Sequence, residues 1–223
     1  MDVQLFLWLN SWNGQFEIFD QLLLFLDLQL FKSLPFMMAF WGLWFWPKTQ
    51  TERTKIRNVL TATLVLTVPV MVITRLIAVF APFSPRPLHT SDLDFILNEY
   101  QYARAFDGWS SMPSDHASMF MCLAVAFFYI HRTVGIFFIF WAMFVTSIPR
   151  VILAYHWPSD ILAGWALGAV IVVLLIGPMT RLIERINIVP FFEEREAIGY
   201  ALLFVATFEV ANMFEISRAI IKV

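Results

Sequence analysis

Long apolar segments separated by short polar ones constrain this chain most. Its 223 residues are 60% hydrophobic and 14% charged, whereas soluble domains are nearer half apolar and a quarter charged. An apolar run of about 18 residues or more is long enough to cross a bilayer as a helix. The sequence therefore predicts an all-α integral membrane protein that forms one domain over residues 1–223.

The pattern of these segments predicts six transmembrane helices, with interfacial helices at the N-terminus. Residues 1–14 are short, rich in Trp and Leu and interrupted by polar residues, which is typical of an interfacial helix. Residues 17–46 are mostly apolar but contain Asp20, Gln21, Asp27, Gln29 and Lys32, so we expect an oblique or interfacial helix to about Leu30 and a first span after it. The other spans are predicted at about 58–80, 114–130, 134–153, 160–176 and 197–220.

Basic residues predict the orientation of the bundle. With alternating spans, residues 47–57, 131–133 and 180–196 fall on one side and hold eight of the fifteen Lys and Arg residues. The positive-inside rule makes that side cytoplasmic. The polar loops at 81–113 and 154–159 then face the outside. We expect a protein of the bacterial inner (cytoplasmic) membrane whose outer loops lie in the periplasm.

Net charge and cysteine content exclude some classes of protein. The formal net charge is −2, so nucleic acid is not an expected partner. Cys122 is the only cysteine, so no intrachain disulfide can form. The first residues lack the basic start of a cleaved signal peptide. The lipid bilayer is the expected partner, and no pattern specifies an oligomeric state.

Three polar clusters fall on the same predicted face of the membrane. Arg86-Pro87 follows the second span, Pro-Ser-Asp-His at 113–116 begins the third, and Arg150, His156 and Asp160 flank the turn between the fourth and fifth. Random placement would not put all three clusters on one face, and polar groups at membrane depth are functional by default. The sequence therefore predicts one site built from three distant segments.

The cations and the helix start in these clusters suit phosphate binding. Arg86 and Arg150 could neutralise a phosphate and hold it with paired hydrogen bonds. Ser114 lies where a helix begins, and a helix N-terminus is an anion site. His116 and His156 with two aspartates could instead hold a metal ion, but the arginines argue against this. We expect neither a metal nor a cofactor.

The two histidines suit phosphoryl transfer. Asp160 follows His156 by four residues, so one helical turn or a tight bend could bring its carboxylate to the imidazole. Such a carboxylate fixes the tautomer and leaves the other ring nitrogen as a nucleophile or base. His156 could then attack phosphorus, while His116 protonates the leaving oxygen.

These motifs resemble the type 2 phosphatidic acid phosphatase (PAP2) and vanadium haloperoxidase superfamily. Its pattern is Lys-x6-Arg-Pro, Pro-Ser-x-His and Ser-Arg-x5-His-x3-Asp, and the resemblance covers about residues 55–178. It implies a six-helix membrane fold and metal-independent hydrolysis of lipid phosphates. It also implies that His156 is the nucleophile, His116 the acid and Asp160 the orienting carboxylate. The implied phosphate-binding residues are Arg86, Ser114 and Arg150.

The chain departs from the family pattern at two positions. The family lysine would fall at Val79, and Arg75 lies one helical turn earlier on nearly the same face. Arg75 could replace that lysine on phosphate, or it could form a structural ion pair with Asp20, Asp27 or Glu209. Pro149 stands where the family has serine.

Different features of the chain resemble two branches of the family. A Pro-Arg pair at this point is similar to the lipid A phosphotransferase branch. The retained Arg-Pro and the short N-terminal helices resemble the undecaprenyl pyrophosphate phosphatase branch more closely.

Three functions follow from these patterns. The first is a lipid phosphatase that cleaves a phosphomonoester or pyrophosphate of a membrane lipid, with an undecaprenyl or other isoprenyl pyrophosphate as the expected substrate. The second is a phosphotransferase that passes the same phosphohistidine to another lipid. The third is a binding or transport protein for lipid phosphates with impaired catalysis.

In the loop at 81–113, Arg104 could reach a second phosphate, although a solvated surface charge explains this arginine as well.

Overall fold

The computed structural model describes residues 1–98 and 108–217, and over these ranges the chain is helical without strands. Arg104 lies outside the described residues. A single 3-10 turn at Pro87–His89 interrupts the loop after the fourth helix. The helices are α1 (Asp2–Asn10), α2 (Glu17–Asp27), α3 (Gln29–Phe45), α4 (Gln50–Phe80), α5 (Asp115–Ile130), α6 (Arg132–Phe140), α7 (Ile148–Ile152), α8 (Pro158–Arg185), α9 (Ile188–Glu194) and α10 (Glu196–Ala211).

Three helical segments of the described chain are long and apolar enough to cross a membrane. They are α4, the stretch 132–152 that runs from α6 through a π-helical segment to α7, and α8. The pair α2 and α3 forms a fourth candidate that is bent by 54°. Length and composition thus support three or four spans, and six spans stay a prediction.

The predicted third and sixth spans correspond to helices that are short for a membrane span. Both α5 and α10 contain 16 residues. At 1.5 Å per residue such a helix is about 24 Å long, which is less than the roughly 30 Å of a hydrocarbon core. The helix α5 begins only after Ser114, because the segment before it contributes to the polar site described below.

The N-terminal helices cover one end of the bundle. The break at Leu28 between α2 and α3 lies close to the predicted break at about Leu30. In α1, Phe6 is fully buried and the Asn10 amide donates a 2.8 Å hydrogen bond to the carbonyl of Ile152. The N-terminal helix is therefore packed against α7 through one face.

The helices α4, α5 and α8 form the centre of the bundle. Gly164 allows α8 to approach α5 closely, since a Cβ atom there would lie 2.7 Å from the Ser114 carbonyl oxygen. At this contact the backbone N–H of Ser114 donates to the carbonyl of Asp160 at 3.1 Å. The starts of the two helices are consequently joined, and both carry residues of the predicted site.

Candidate active site

The three predicted clusters meet at one end of the central bundle. The loop after α4 is tied to the turn between α7 and α8 by a hydrogen bond from the Leu88 N–H to the Ala154 carbonyl at 3.0 Å. The Trp157 indole donates to the Pro85 carbonyl at 2.8 Å. With the contact between the starts of α5 and α8, these bonds bring the three segments together.

The imidazole of His156 is buried and held in one orientation. Only 3% of the residue is exposed. Its Nδ1 lies 3.0 Å from the carbonyl oxygen of Ser111, which can only accept a hydrogen bond, so the Nδ1 atom carries the proton. The lone pair therefore lies on Nε2, and Arg86 Nη1 lies 3.3 Å from that nitrogen. A neutral imidazole thus presents its basic nitrogen to a buried cation.

Asp160 approaches the same imidazole from the start of α8. Its Oδ2 lies 3.5 Å from His156 Nδ1, which is longer than an ordinary hydrogen bond. The same oxygen accepts from the Trp157 N–H at 2.8 Å and caps the helix. The carbonyl of Ser111 is therefore the main acceptor that orients His156, and the predicted orienting residue Asp160 acts as a nearby negative charge.

Burial and neighbouring cations keep His156 neutral. Burial lowers the pKa of His156 well below its usual 6.5, and the charges of Arg150 and Arg86 lower it further. Burial also lowers the pKa of Arg86 to about 10, with Arg150 as the next cause. Arg86 consequently stays charged at neutral pH while His156 does not.

The two predicted phosphate-binding arginines are both buried at this end of the bundle. Arg86 Nη1 donates to the carbonyl of Tyr155 at 2.6 Å. Arg150 donates from Nη1 to Asp27 Oδ1 at 3.0 Å and lies over the Tyr155 ring, 5.4 Å from its centroid. Both guanidinium groups thus contact Tyr155, one at its carbonyl and the other at its ring.

Ser114 precedes α5 and is completely buried. Its hydroxyl finds no hydrogen-bond partner among residues 1–98 and 108–217. An unsatisfied buried hydroxyl costs about 1–3 kcal/mol, so a site that retains one is expected to hold a ligand oxygen or water. The phosphate contact of Ser114 stays a prediction.

His116 lies on the first turn of α5 and contacts the N-terminal helices. Its Nε2 is 3.0 Å from the Oε1 of Gln29, and the Gln29 amide nitrogen donates to the carbonyl of Ala211 at 2.6 Å. Within the described part of the chain, the hydrogen bond of His116 thus goes to Gln29 rather than to His156.

Arg75 forms an ion pair with Asp115, the residue between Ser114 and His116. Its guanidinium also lies 4.6 Å from the centroid of the Trp109 ring. The prediction of an ion pair with Asp20, Asp27 or Glu209 is wrong. Because α4 packs beside α5, the carboxylate comes from Asp115 at the start of α5. The charge of Arg75 still acts on Arg86, and a contact with phosphate stays a prediction.

Two charged residues outside the motifs, Lys32 and Asp27, contact the predicted site. Lys32 on α3 is 1% exposed, and its Nζ lies 2.8 Å from Asp27 Oδ1, the oxygen that also accepts from Arg150. The signal in the sequence was the presence of charged residues within an apolar segment. From the sequence alone, these charges indicate an oblique helix and make Asp27 a possible partner of Arg75.

The two departures from the family pattern have different surroundings. Val79 is 73% exposed, so its side chain lies outside the buried polar cluster. Pro149 is buried in the first turn of α7, immediately before Arg150. Over the described ranges, no group of three or more His, Cys, Asp and Glu side chains is arranged to hold a metal ion.

Comparison with known proteins agrees with the motif assignment at the level of a superfamily. The family model of the PAP2 superfamily matches residues 78–183, slightly less than half of the chain. This range includes Arg86, Ser114, His116, Arg150, His156 and Asp160. The comparisons with curated proteins and with solved structures give no match. The superfamily match supports a phosphoester hydrolase, and the apolar helices fit a membrane protein.

Proposed function

We propose that this protein is a lipid phosphatase that removes phosphate from a membrane lipid, with an isoprenyl pyrophosphate such as undecaprenyl pyrophosphate as substrate. The single observation that carries the proposal is the arrangement of His156. Its proton is directed to the Ser111 carbonyl, and its lone pair on Nε2 faces Arg86. A neutral buried imidazole beside a cation is suited to attack a phosphate that the cation binds.

The proposed reaction has two steps. In the first, Arg86 gives up its contact with His156 Nε2 for a phosphate oxygen, the freed lone pair of Nε2 attacks phosphorus, the bond to the leaving oxygen breaks, and His116 gives that oxygen a proton. In the second, His116 takes a proton from water, the water oxygen attacks phosphorus, and the N–P bond breaks to release phosphate and neutral His156. Asp160 stabilises the positive charge that the imidazole carries between the steps.

The other site residues bind the phosphate oxygens in this proposal. Arg86 and Arg150 supply charge, and the Ser114 hydroxyl donates to an oxygen. Arg75, whose charge acts on Arg86, is a fourth contact, direct or through water. No step of this scheme requires a metal ion. His116 must exchange Gln29 for the leaving oxygen when substrate binds.

A lipid substrate is supported by an apolar groove next to His116. The groove lies between α3 and α10 and has a volume of ≈ 380 Å³. Leu30 and Ala211 lie at its end beside Gln29, the residue that contacts both Ala211 and His116. A hydrocarbon chain in this groove would place its head group near His116. The basic segments favour a periplasmic position for this end of the bundle.

A phosphotransferase is the second candidate, because Pro149 gives the Pro-Arg pair of that branch. The two functions share the first step and differ in the acceptor, which is water or a second lipid. Incubation with substrate labelled in its terminal phosphate and an added acceptor lipid distinguishes them. Labelled inorganic phosphate indicates the phosphatase, and labelled acceptor lipid indicates the transferase.

The test of the proposed function is phosphate release by purified protein in detergent with EDTA. Isoprenyl pyrophosphate, phosphatidate and phosphatidylglycerol phosphate serve as substrates, and His156→Ala serves as the inactive variant. We expect release from isoprenyl pyrophosphate that the substitution abolishes. Equal release by wild type and His156→Ala, or none from any lipid, would contradict the proposal.

A further inference from the structure

We infer that Lys32 binds the phosphate of the leaving group, so that α3 builds a subsite that favours lipid diphosphates over lipid monophosphates. This inference rests on the proposed function and extends it. It assigns the terminal phosphate to His156 and the phosphate next to the lipid to Lys32. The following contacts carry it.

The first observation is that one carboxylate is shared by two buried cations. Asp27 Oδ1 lies 2.8 Å from Lys32 Nζ and 3.0 Å from Arg150 Nη1. By the sum of these distances, the two nitrogens are at most 5.8 Å apart. Oxygens of one phosphate, or of two linked phosphates, can bridge nitrogens up to about 8 Å apart through ordinary hydrogen bonds. Lys32 is therefore within reach of a ligand that Arg150 holds.

The second observation is the incomplete hydrogen bonding of Lys32. An ammonium group has three N–H donors, and within the described residues Lys32 uses one of them, on Asp27. The side chain is nevertheless 2% exposed. Burying a charge is costly unless it is paired and hydrogen-bonded. Two N–H donors of Lys32 remain, and the two cations Lys32 and Arg150 share the single negative charge of Asp27. An anionic ligand would accept from these donors and balance the second positive charge.

The third observation is the direction from which α3 approaches. The same first turn carries Gln29, which contacts the proposed acid His116, and the next residue, Leu30, lines the apolar groove. The charge of Lys32 also acts on His156. Lys32 follows Gln29 by three residues on the same helix and shares its face, so it lies on the side of His116 and the leaving oxygen, while Arg86 lies at Nε2 of His156.

The chemistry of this arrangement is specific for a diphosphate. When His156 attacks the terminal phosphorus, the bond from that phosphorus to the bridging oxygen breaks and its electrons go to the bridging oxygen. His116 protonates that oxygen, and a lipid monophosphate leaves. Lys32 transfers no proton, since its role is to neutralise the charge that grows on the departing phosphate. A lipid monophosphate releases an uncharged alcohol, so Lys32 does not assist the departure of its leaving group.

Lys32→Met tests the inference with little damage to the fold. Methionine has a similar unbranched shape, and Asp27 keeps its partner Arg150. The variant is assayed on isoprenyl pyrophosphate and on the monophosphate of the same chain. Losing one charged hydrogen bond predicts a decrease of about 10–100-fold in kcat/KM on the pyrophosphate, with less than about 3-fold on the monophosphate. Lys32→Arg, which retains the charge, should recover part of the preference, and the exposed Lys48→Met is the matched control.

A second variant separates substrate binding from simple neutralisation of Asp27. In the double variant Asp27→Asn with Lys32→Met, both charges are removed. If Lys32 binds the leaving phosphate, the preference for pyrophosphate stays lost. Recovery of the wild-type preference in the double variant would overturn the inference, as would equal losses on both substrates in Lys32→Met.

Failure of the inference is distinguishable from failure of the proposed function. Wild-type protein that hydrolyses neither substrate contradicts the function itself. Hydrolysis that depends on His156 but keeps its pyrophosphate preference in Lys32→Met contradicts only the role of Lys32. Competition by inorganic pyrophosphate against inorganic phosphate gives a second measure of the same preference. Wild type should favour pyrophosphate, and Lys32→Met should favour it about 10-fold less.

Discussion

Arg86 and His156 are in contact, with the guanidinium Nη1 3.3 Å from the imidazole Nε2. The two residues are separated by 70 positions in the chain, and each is anchored by backbone. Arg86 donates to the Tyr155 carbonyl, and His156 Nδ1 meets the Ser111 carbonyl. The cation thus lies beside the nitrogen that is to attack phosphorus, and binding a phosphate oxygen must draw Arg86 off the Nε2 lone pair.

Replacing Arg86 should therefore affect binding and chemistry together. We expect Arg86→Gln to lower kcat/KM for lipid phosphate release by about 10²-fold, because one charged contact to the phosphate is lost. Arg86→Lys should retain more activity than Arg86→Gln, since it keeps the charge but not the planar geometry. The exposed Arg132 provides the control, and Arg132→Gln should behave as wild type. Wild-type activity in Arg86→Gln would remove Arg86 from the site.

The lowered pKa of His156 predicts the effect of pH on stability. The pKa of His156 lies well below 6.5 in the folded protein. At pH values between the folded pKa and 6.5, the unfolded chain therefore binds more protons than the folded protein. Stability is then fully present above about pH 6.5 and is lost as pH falls towards the folded pKa. We expect the Tm in detergent to decrease between pH 6.5 and 5, and to decrease less in His156→Gln. Identical pH dependence of the two proteins would show that His156 is not held neutral.

The hydroxyl of Ser114 offers a test that separates function from stability. Ser114→Ala removes a buried group without a partner among the described residues, so Tm should stay the same or rise. The kcat/KM should nevertheless fall by about 10-fold, as expected for one hydrogen bond to a charged phosphate. Ser118→Ala is the matched control, because the Ser118 hydroxyl already donates to the Ser114 carbonyl at 3.0 Å. A fall in both Tm and activity in Ser114→Ala would indicate a structural role instead.

The groove between α3 and α10 predicts a dependence on chain length. Leu34 lines this groove, and Leu34→Trp should fill it. We expect KM for a long-chain isoprenyl pyrophosphate to rise by about 10-fold, in proportion to the apolar contact that is lost, while a short-chain analogue is hydrolysed as before. Leu174→Trp, on an exposed part of α8, adds the same side chain elsewhere. Equal effects of the two substitutions, or of one substitution on both substrates, would exclude the groove as the site of the lipid chain.

The meeting of the motifs could be predicted from the sequence, because parity of the spans puts Arg86, the segment 113–116 and His156 on one face. The main acceptor for His156 could not, since the Ser111 carbonyl is a backbone group that every residue possesses. The contact between Asp27 and Arg150 could not be predicted either, because 123 positions separate the two residues and no local pattern joins them. The partner of Arg75 depended on the packing of α4 beside α5, which periodicity alone does not define.

The predicted bounds of the third span agree with α5 to within one residue, but the predicted end of the fifth span does not agree with α8. The helix α5 starts at Asp115, as the motif suggested, but is short for a span. The helix α8 begins at Pro158 and continues to Arg185, beyond the predicted end near residue 176. Residues 177–185 of α8 are amphiphilic, so hydropathy alone predicts an end of the helix that is too early.

The most direct test of the account is to trap the phosphoenzyme. Purified protein is mixed with isoprenyl pyrophosphate labelled in its terminal phosphate, quenched in alkali within milliseconds and digested for mass spectrometry. Attack by Nε2 predicts an acid-labile, alkali-stable phosphohistidine on the peptide that contains His156, formed and lost at rates compatible with kcat, and absent from His156→Ala. Turnover without a phosphorylated His156, or with the label on another residue, would contradict the central role of this histidine.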